Sequence, residues 1–140
     1  LATKAAELLN IKPKDFNIPL KGRFQKVNNF ILDGAHTPES IQETLKTMDK
    51  LYKNYNLVLA LSKNKKAKQI LKTIESHKKE LILTKSTYKP MPPKEMQKLT
   101  KLKTKILPLK TILTLKEPTL ITGSLYLVGD SLNLLENKKA

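Results

Sequence analysis

The sequence predicts an α/β domain built on a largely parallel sheet. Short continuous apolar runs recur along the chain, at Leu57–Leu61, Leu81–Leu83 and Thr119–Thr122; such runs mark strands covered on both faces. Between them stand apolar stripes at helical spacing: Ile41, Leu45, Met48, Leu51 and Tyr52, then Ala67, Ile70, Leu71 and Ile74. Strand and helix patterns that alternate in this way imply crossover units, which bury a parallel sheet.

Leu1–Asn10 reads as the end of a helix, and Lys12–Leu20, with Pro13 and Pro19 and no sustained periodicity, as a linker. A chain that opens on Leu1 in the tail of a helix is expected to be cut from a longer protein. Residues 1–20 are therefore assigned to the end of a preceding domain and its linker, and residues 21–140 to one folded unit. Phe24–Val27 and Phe30–Leu32 are short strands separated by the turn-prone pair Asn28-Asn29, which suggests a hairpin.

After Asp33-Gly34-Ala35-His36, Thr37 can cap a helix whose first turn holds Pro38, where the missing amide has no intrahelical acceptor. That helix is predicted over Pro38–Lys53. Strand Leu57–Leu61, the helical stripe from Ala67 and strand Leu81–Leu83 follow. Proline-rich Tyr88–Pro93 is a loop, Lys94–Leu102 a helix and Ile106-Leu107 a short strand, while Ile112–Leu115 fits helix and extended chain equally. Thr119–Thr122 is the last strand, Gly123 permits a tight turn, and Leu125–Leu135 is apolar enough for a well-buried helix.

A length of 140 residues suits one domain with a real core. There is no cysteine, no charged-then-apolar leader and no apolar run approaching the ~20 residues that span a bilayer, so a cytoplasmic protein with no membrane partner is expected. The net charge of +15 invites a nucleic-acid reading, because clustered lysines displace counterions from phosphates. Here the lysines are spread through every segment, aromatics make up 5%, and no DNA- or RNA-binding signature accompanies them. No specific nucleic-acid partner is expected, although a basic nucleic-acid-binding module stands as an alternative. Arg23 is the sole arginine in a lysine-rich chain, which suits a planar, bidentate contact with phosphate or carboxylate.

Ligands of doubly wound sheets bind at the carboxyl ends of strands, and two segments have that context: Asp33–Thr37 and Thr122–Ser124. Asp33 suits two ribose hydroxyls, Gly34 and Ala35 allow close approach to the backbone, and His36 can donate to a phosphate or carboxylate at the following helix start. Asp33 and His36 serve equally well as turn caps. Gly123-Ser124 can offer amides and a hydroxyl to an anion, or simply make a tight turn. His77 reads as a favourable charge at a helix end. The four glycines never form a triphosphate-cradling loop, and two separated histidines without cysteine give no metal site.

Three segments, Gly22-Arg23-Phe24-Gln25, Ile31-Leu32-Asp33-Gly34-Ala35-His36-Thr37-Pro38-Glu39 and Ile121-Thr122-Gly123-Ser124-Leu125-Tyr126-Leu127-Val128-Gly129, in that order, resemble the C-terminal domain of the folylpolyglutamate synthase/dihydrofolate synthase family of the Mur ligase superfamily. The resemblance covers Lys21–Leu135. Two departures stand out: Thr37 where the family has asparagine, and Ser62-Lys63-Asn64 where it has Asp-Lys-Asp. Thr37 also brings the chain close to the Ala-His-Thr-Pro pattern of the muramoyl-tripeptide synthetases, but their Asp-Asn-Pro-Arg and Gly-Lys-Gly-His-Glu segments are missing.

The resemblance implies a Rossmann-like, mostly parallel six-stranded sheet with flanking helices that closes over an N-terminal ATPase domain of the same chain. It implies a monomeric, ATP- and Mg2+-dependent ligase that joins glutamate to folate or dihydropteroate through an acyl phosphate. The triphosphate loop, the metal ligands and most of the folate site would lie outside this chain, which alone would be inactive. Within that scheme Arg23 matches a nucleotide-phosphate contact and Asp33 a ribose contact. His36 matches a catalytic residue near the phosphates and incoming glutamate, and Ser124 a contact for the glutamate carboxylate. Lys63 matches the family lysine.

Overall fold

The computed structural model describes residues 23–63, 66–78 and 80–139. The helix end expected over Leu1–Asn10 and the linker over Lys12–Leu20 lie outside them. Strands β1 (Gln25–Val27) and β2 (Phe30–Asp33) lead into helix α1 (Pro38–Leu51), then β3 (Asn56–Leu59), α2 (Ala67–Glu75) and β4 (Glu80–Leu83). Helix α3 (Pro93–Lys98), β5 (Lys103–Ile106), the single turn α4 (Leu109–Ile112), β6 (Thr119–Thr122) and α5 (Leu125–Lys139) complete the chain. The strands form one six-stranded sheet in the order β1-β2-β6-β3-β4-β5. Only β1 is antiparallel, so the expected Rossmann-like, mostly parallel sheet is what the chain forms.

Alternation along each strand divides the core into two layers. Ile31, Leu57, Leu59, Leu81, Leu83 and Leu120 pack with Ile41, Leu45 and Met48 of α1, Ile70, Leu71 and Ile74 of α2 and Met96 of α3. Their strand neighbours Phe30, Leu32, Val58, Ala60 and Ile121 pack on the opposite face with Ile112 of α4 and Leu127, Val128 and Leu135 of α5. Every residue of β6 is buried, as a central strand covered on both sides requires.

The hairpin turn is made by Asn28, whose φ of +56° is a left-handed conformation that asparagine tolerates better than most residues. Asn29 anchors it, donating from Nδ2 to the carbonyls of Leu115 (2.8 Å) and Glu117 (2.7 Å) and accepting from the Thr119 amide (2.9 Å). Thr37 caps α1 as expected: its Oγ1 accepts from the Ser40 amide (3.1 Å) and Ser40 Oγ accepts from the Thr37 amide (3.0 Å).

Several boundaries differ from expectation. Helix α1 stops at Leu51, with Tyr52 as an extended cap, and β3 ends at Leu59. Helix α3 starts at Pro93 and ends at Lys98 because Thr100 and Lys101 turn aside to Glu75, hydroxyl and amide both donating to its Oε2. The fifth strand is Lys103–Ile106 rather than Ile106-Leu107; it is an edge strand, and its lysines hide the apolar signal while blunting the open edge. Ile112–Leu115, undecided from sequence, is the end of a helical turn followed by irregular chain. Helix α5 runs beyond Leu135 to Lys139.

Candidate functional site

Strands β2 and β6 lie side by side and parallel, with Asp33 opposite Thr122. The helices that follow them leave in opposite directions, α1 to one face of the sheet and α5 to the other. The chain therefore opens a crevice at the carboxyl ends of β2 and β6, the switch point at which doubly wound sheets bind ligands. The two sequence segments singled out above meet there. Thr122 Oγ1 lies 3.5 Å from the Ala35 carbonyl, at the outer limit of a hydrogen bond between the two loops.

On the β2 side, antiparallel pairing sets Gln25 opposite Leu32, which carries Arg23 and Phe24 to the level of Asp33. The Asp33 carboxylate accepts from the Ala35 amide through Oδ1 (2.9 Å) and from Thr44 Oγ1 through Oδ2 (3.2 Å). Burial pushes its pKa above the ordinary carboxylate value, against the opposing pull of those donors, the Arg23 guanidinium and the Phe24 amide. The Arg23 side chain is exposed. Phe24, at φ +48°, holds a left-handed conformation costly for a bulky residue. His36 Nδ1 lies 2.9 Å from the Gly34 carbonyl. A carbonyl only accepts, so Nδ1 carries the hydrogen, leaving Nε2 an acceptor in the neutral ring and a donor only in the imidazolium.

On the β6 side, Gly123 turns the chain at φ +106°, and a Cβ there would meet the Ala60 carbonyl oxygen at 2.2 Å. Only glycine fits between the sixth strand and the end of the third. Ser124 is buried, and its Oγ accepts from the amides of Tyr126 (3.1 Å) and Leu127 (3.4 Å). It caps α5 while its hydroxyl hydrogen stays available to an acceptor. The loop after β3 closes the same end: Ser62 pairs with Pro90 in an antiparallel bridge, and the Lys63 amide donates to the Lys89 carbonyl at 3.0 Å.

One polar atom of the neighbouring hairpin was not singled out from sequence. Gln25 Oε1 is the one buried side-chain nitrogen or oxygen among the described residues without a hydrogen-bond partner, an expensive condition that invites a donor. Its signal was its place in the same short segment as Arg23.

A cavity of about 640 Å³ lies at the other end of the sheet, lined by Asp49, Tyr55, His77, Lys78, Glu80 and Lys105 among others. Several of its groups already pair with one another. Tyr55 Oη donates to Asp49 Oδ1 (2.8 Å), His77 Nδ1 lies 2.9 Å from Asp49 Oδ2, and Lys78 Nζ donates to the Tyr55 carbonyl (2.7 Å) while sitting 3.8 Å above the Tyr55 ring. Both α1 and α2 end near this cavity, so its cations also offset two helix C-termini. Among the described residues no group of three His, Cys, Asp or Glu side chains is placed to hold a metal, and no helix is long and apolar enough to cross a membrane.

A mostly parallel sheet with helices on both faces and a switch point between β2 and β6 defines a doubly wound, Rossmann-like α/β fold. Residues 22–119 match the family model described as Mur ligase, glutamate ligase domain, and the chain belongs to that family. Its fold is similar to a folylpolyglutamate synthase from Thermotoga maritima, with a TM-score of 0.75 at 22% identity over 98% of this chain and 37% of that one. It is similar to E. coli FolC in complex with DHPP and ADP, at 0.73 and 16% over 86% of this chain and 32% of that chain. It also matches a Mycobacterium tuberculosis folylpolyglutamate synthase complexed with ADP and AMPPCP, at 0.69 and 17% over 83% and 32%. The chain thus spans about a third of the length of these solved chains. No curated protein matches it.

Proposed function

We propose that this chain is the C-terminal domain of an ATP-dependent ligase that adds glutamate to folate or dihydropteroate. The observation that carries the reading is the meeting of Arg23, Asp33 and His36 with Gly123-Ser124 at one switch-point crevice, in a domain of the Mur ligase family. In the reaction proposed, the substrate carboxylate attacks the γ-phosphorus of ATP and ADP leaves. The amine of glutamate then attacks the acyl phosphate, phosphate departs, and the amine loses a proton as the amide forms.

The residues present fit a nucleotide contact rather than a complete nucleotide site. Asp33 retains lone pairs for ribose hydroxyls, and the Arg23 guanidinium is exposed beside it. Mg2+ and the triphosphate would be held by the N-terminal ATPase domain. His36, with its hydrogen on Nδ1, is suited when neutral to accept the proton of the incoming amine at Nε2, and Ser124 to donate to the glutamate carboxylate. These are positioning and charge-stabilising roles, which dominate phosphoryl transfer.

The test is the full-length parent assayed for ADP release and for an amide product from glutamate with dihydropteroate or a reduced folate. Glutamate incorporation that depends on ATP supports the reading. Activity confined to a muramoyl precursor would move the protein to the cell-wall branch, and turnover by this chain alone would contradict the division of labour.

A further inference from the structure

The rim beyond Ser124 carries an arrangement that the roles above leave unused. Tyr88, in the loop after β4, and Tyr126, in the first turn of α5, have ring centroids 4.4 Å apart at 37°. They remain 47% and 48% exposed, and the neighbouring Leu125 52%. The loop does not depend on this pair for its attachment. Asp130 of α5 takes the Thr87 amide on Oδ2 (2.8 Å) and Thr87 Oγ1 on Oδ1 (2.9 Å), and the Met91 amide donates to the Leu61 carbonyl (2.8 Å). Lys89, at φ +40°, places its ammonium 5.4 Å from the Tyr88 ring.

A half-exposed pair of rings beside a cation offers stacking to a planar ring and charge to a carboxylate. The platform adjoins Ser124, whose Oγ accepts from the Tyr126 amide. Resting on the ligase reading above, we propose that Tyr126 and Tyr88 stack the aryl ring that bears the carboxyl group to be activated, with Lys89 facing its carboxylates. An aryl ring joined to its own carboxyl group, directly or through one amino acid, keeps that group close to the platform and hence to the Ser124 crevice. A nucleobase offers the same stacking face but carries no carboxylate for Lys89 to meet, and KM for ATP separates the two.

The decisive experiment compares Tyr126→Leu, Tyr126→Phe and Tyr88→Leu in the full-length enzyme, with melting curves recorded for each. The leucine variants are expected to raise KM for the pteroyl substrate about tenfold at unchanged KM for ATP, while Tyr126→Phe, which keeps the ring, stays near wild type. A rise in KM for ATP instead would assign the rings to the nucleobase, and unchanged kinetics in both leucine variants would leave them only a loop clasp; either result overturns the proposal. A second arm uses this chain itself with p-aminobenzoylglutamate as the probe. Saturation transfer from tyrosine protons to the probe is expected in the wild type and lost in Tyr126→Leu, and its absence in the wild type also overturns the platform. Should the wild-type enzyme ligate no pteroyl substrate, the ligase reading fails separately, and this binding arm decides the platform alone.

Discussion

The two ends of the sheet differ in how they use their polar groups. At the amino end, Asp49, Tyr55, His77 and Lys78 close on one another around a cavity of about 640 Å³. There burial and the nearby Asp49 push the Tyr55 hydroxyl pKa up, and burial pulls the Lys78 ammonium down against Asp49 and Glu80. At the carboxyl end bonding capacity is left over: His36 Nε2 has no role in the turn, and Phe24 and Lys89 hold costly positive φ angles. A cavity alone does not mark a functional site. Unspent polar capacity and backbone strain are the better guides, because folding stability by itself gives no reason to keep them.

The largest expected effect tests the joint at which the carboxyl end is built. Gly123→Ala sets a Cβ against the Ala60 carbonyl oxygen and keeps a φ of +106°; it should cost on the order of 3 kcal/mol, read as a lowered melting temperature of this chain. A melting curve matching wild type would show that the turn relaxes freely. Next, Arg23→Lys in the full-length enzyme keeps the charge and loses the planar fork, so turnover should fall about a hundredfold with melting unchanged. Equal turnover would remove Arg23 from the phosphate contact.

At the amino end, Tyr55→Phe deletes one hydrogen bond to Asp49, whose other oxygen stays with His77. A loss of about 1 kcal/mol in stability is expected, with ligase kinetics intact. Altered KM or turnover from this variant would break the contrast between the ends.

Sequence made the buried parts of the fold legible and the edge obscure. Strands β3 and β6 and helices α1 and α2 announce themselves because both layers of core demand apolar residues at strand or helix period. Strand β5 does not, since Lys-Thr-Lys-Ile serves an exposed edge. The site was legible as three motifs, and the fold explains their company: an antiparallel hairpin returns Arg23 to Asp33, and parallel pairing sets Asp33 beside Thr122. Contacts between distant segments were not legible. His77 read as a helix-end charge yet also pairs with Asp49, 28 residues away, and Thr87 meets Asp130 across 43 residues.

The smallest expected change in stability carries the sharpest test. Burial raises the Asp33 pKa above its ordinary 3.8, so the native state holds this proton more tightly than the unfolded chain does. The stabilisation linked to it is complete below the ordinary value and is lost as pH rises through the higher folded value. Asp33→Asn keeps an oxygen for the Ala35 amide and has no charge to bury. Its melting temperature at pH 7 should therefore equal or exceed wild type, by about a few tenths of a kcal/mol in stability, and that difference should shrink as melts are taken down toward pH 3. In the full-length enzyme the same variant should raise KM for ATP, because an amide has one acceptor where two ribose hydroxyls need two. Stability retained with nucleotide affinity lost is the signature of a charge kept for a ligand; stability lost with KM unchanged would make Asp33 a brace for the turn and nothing more.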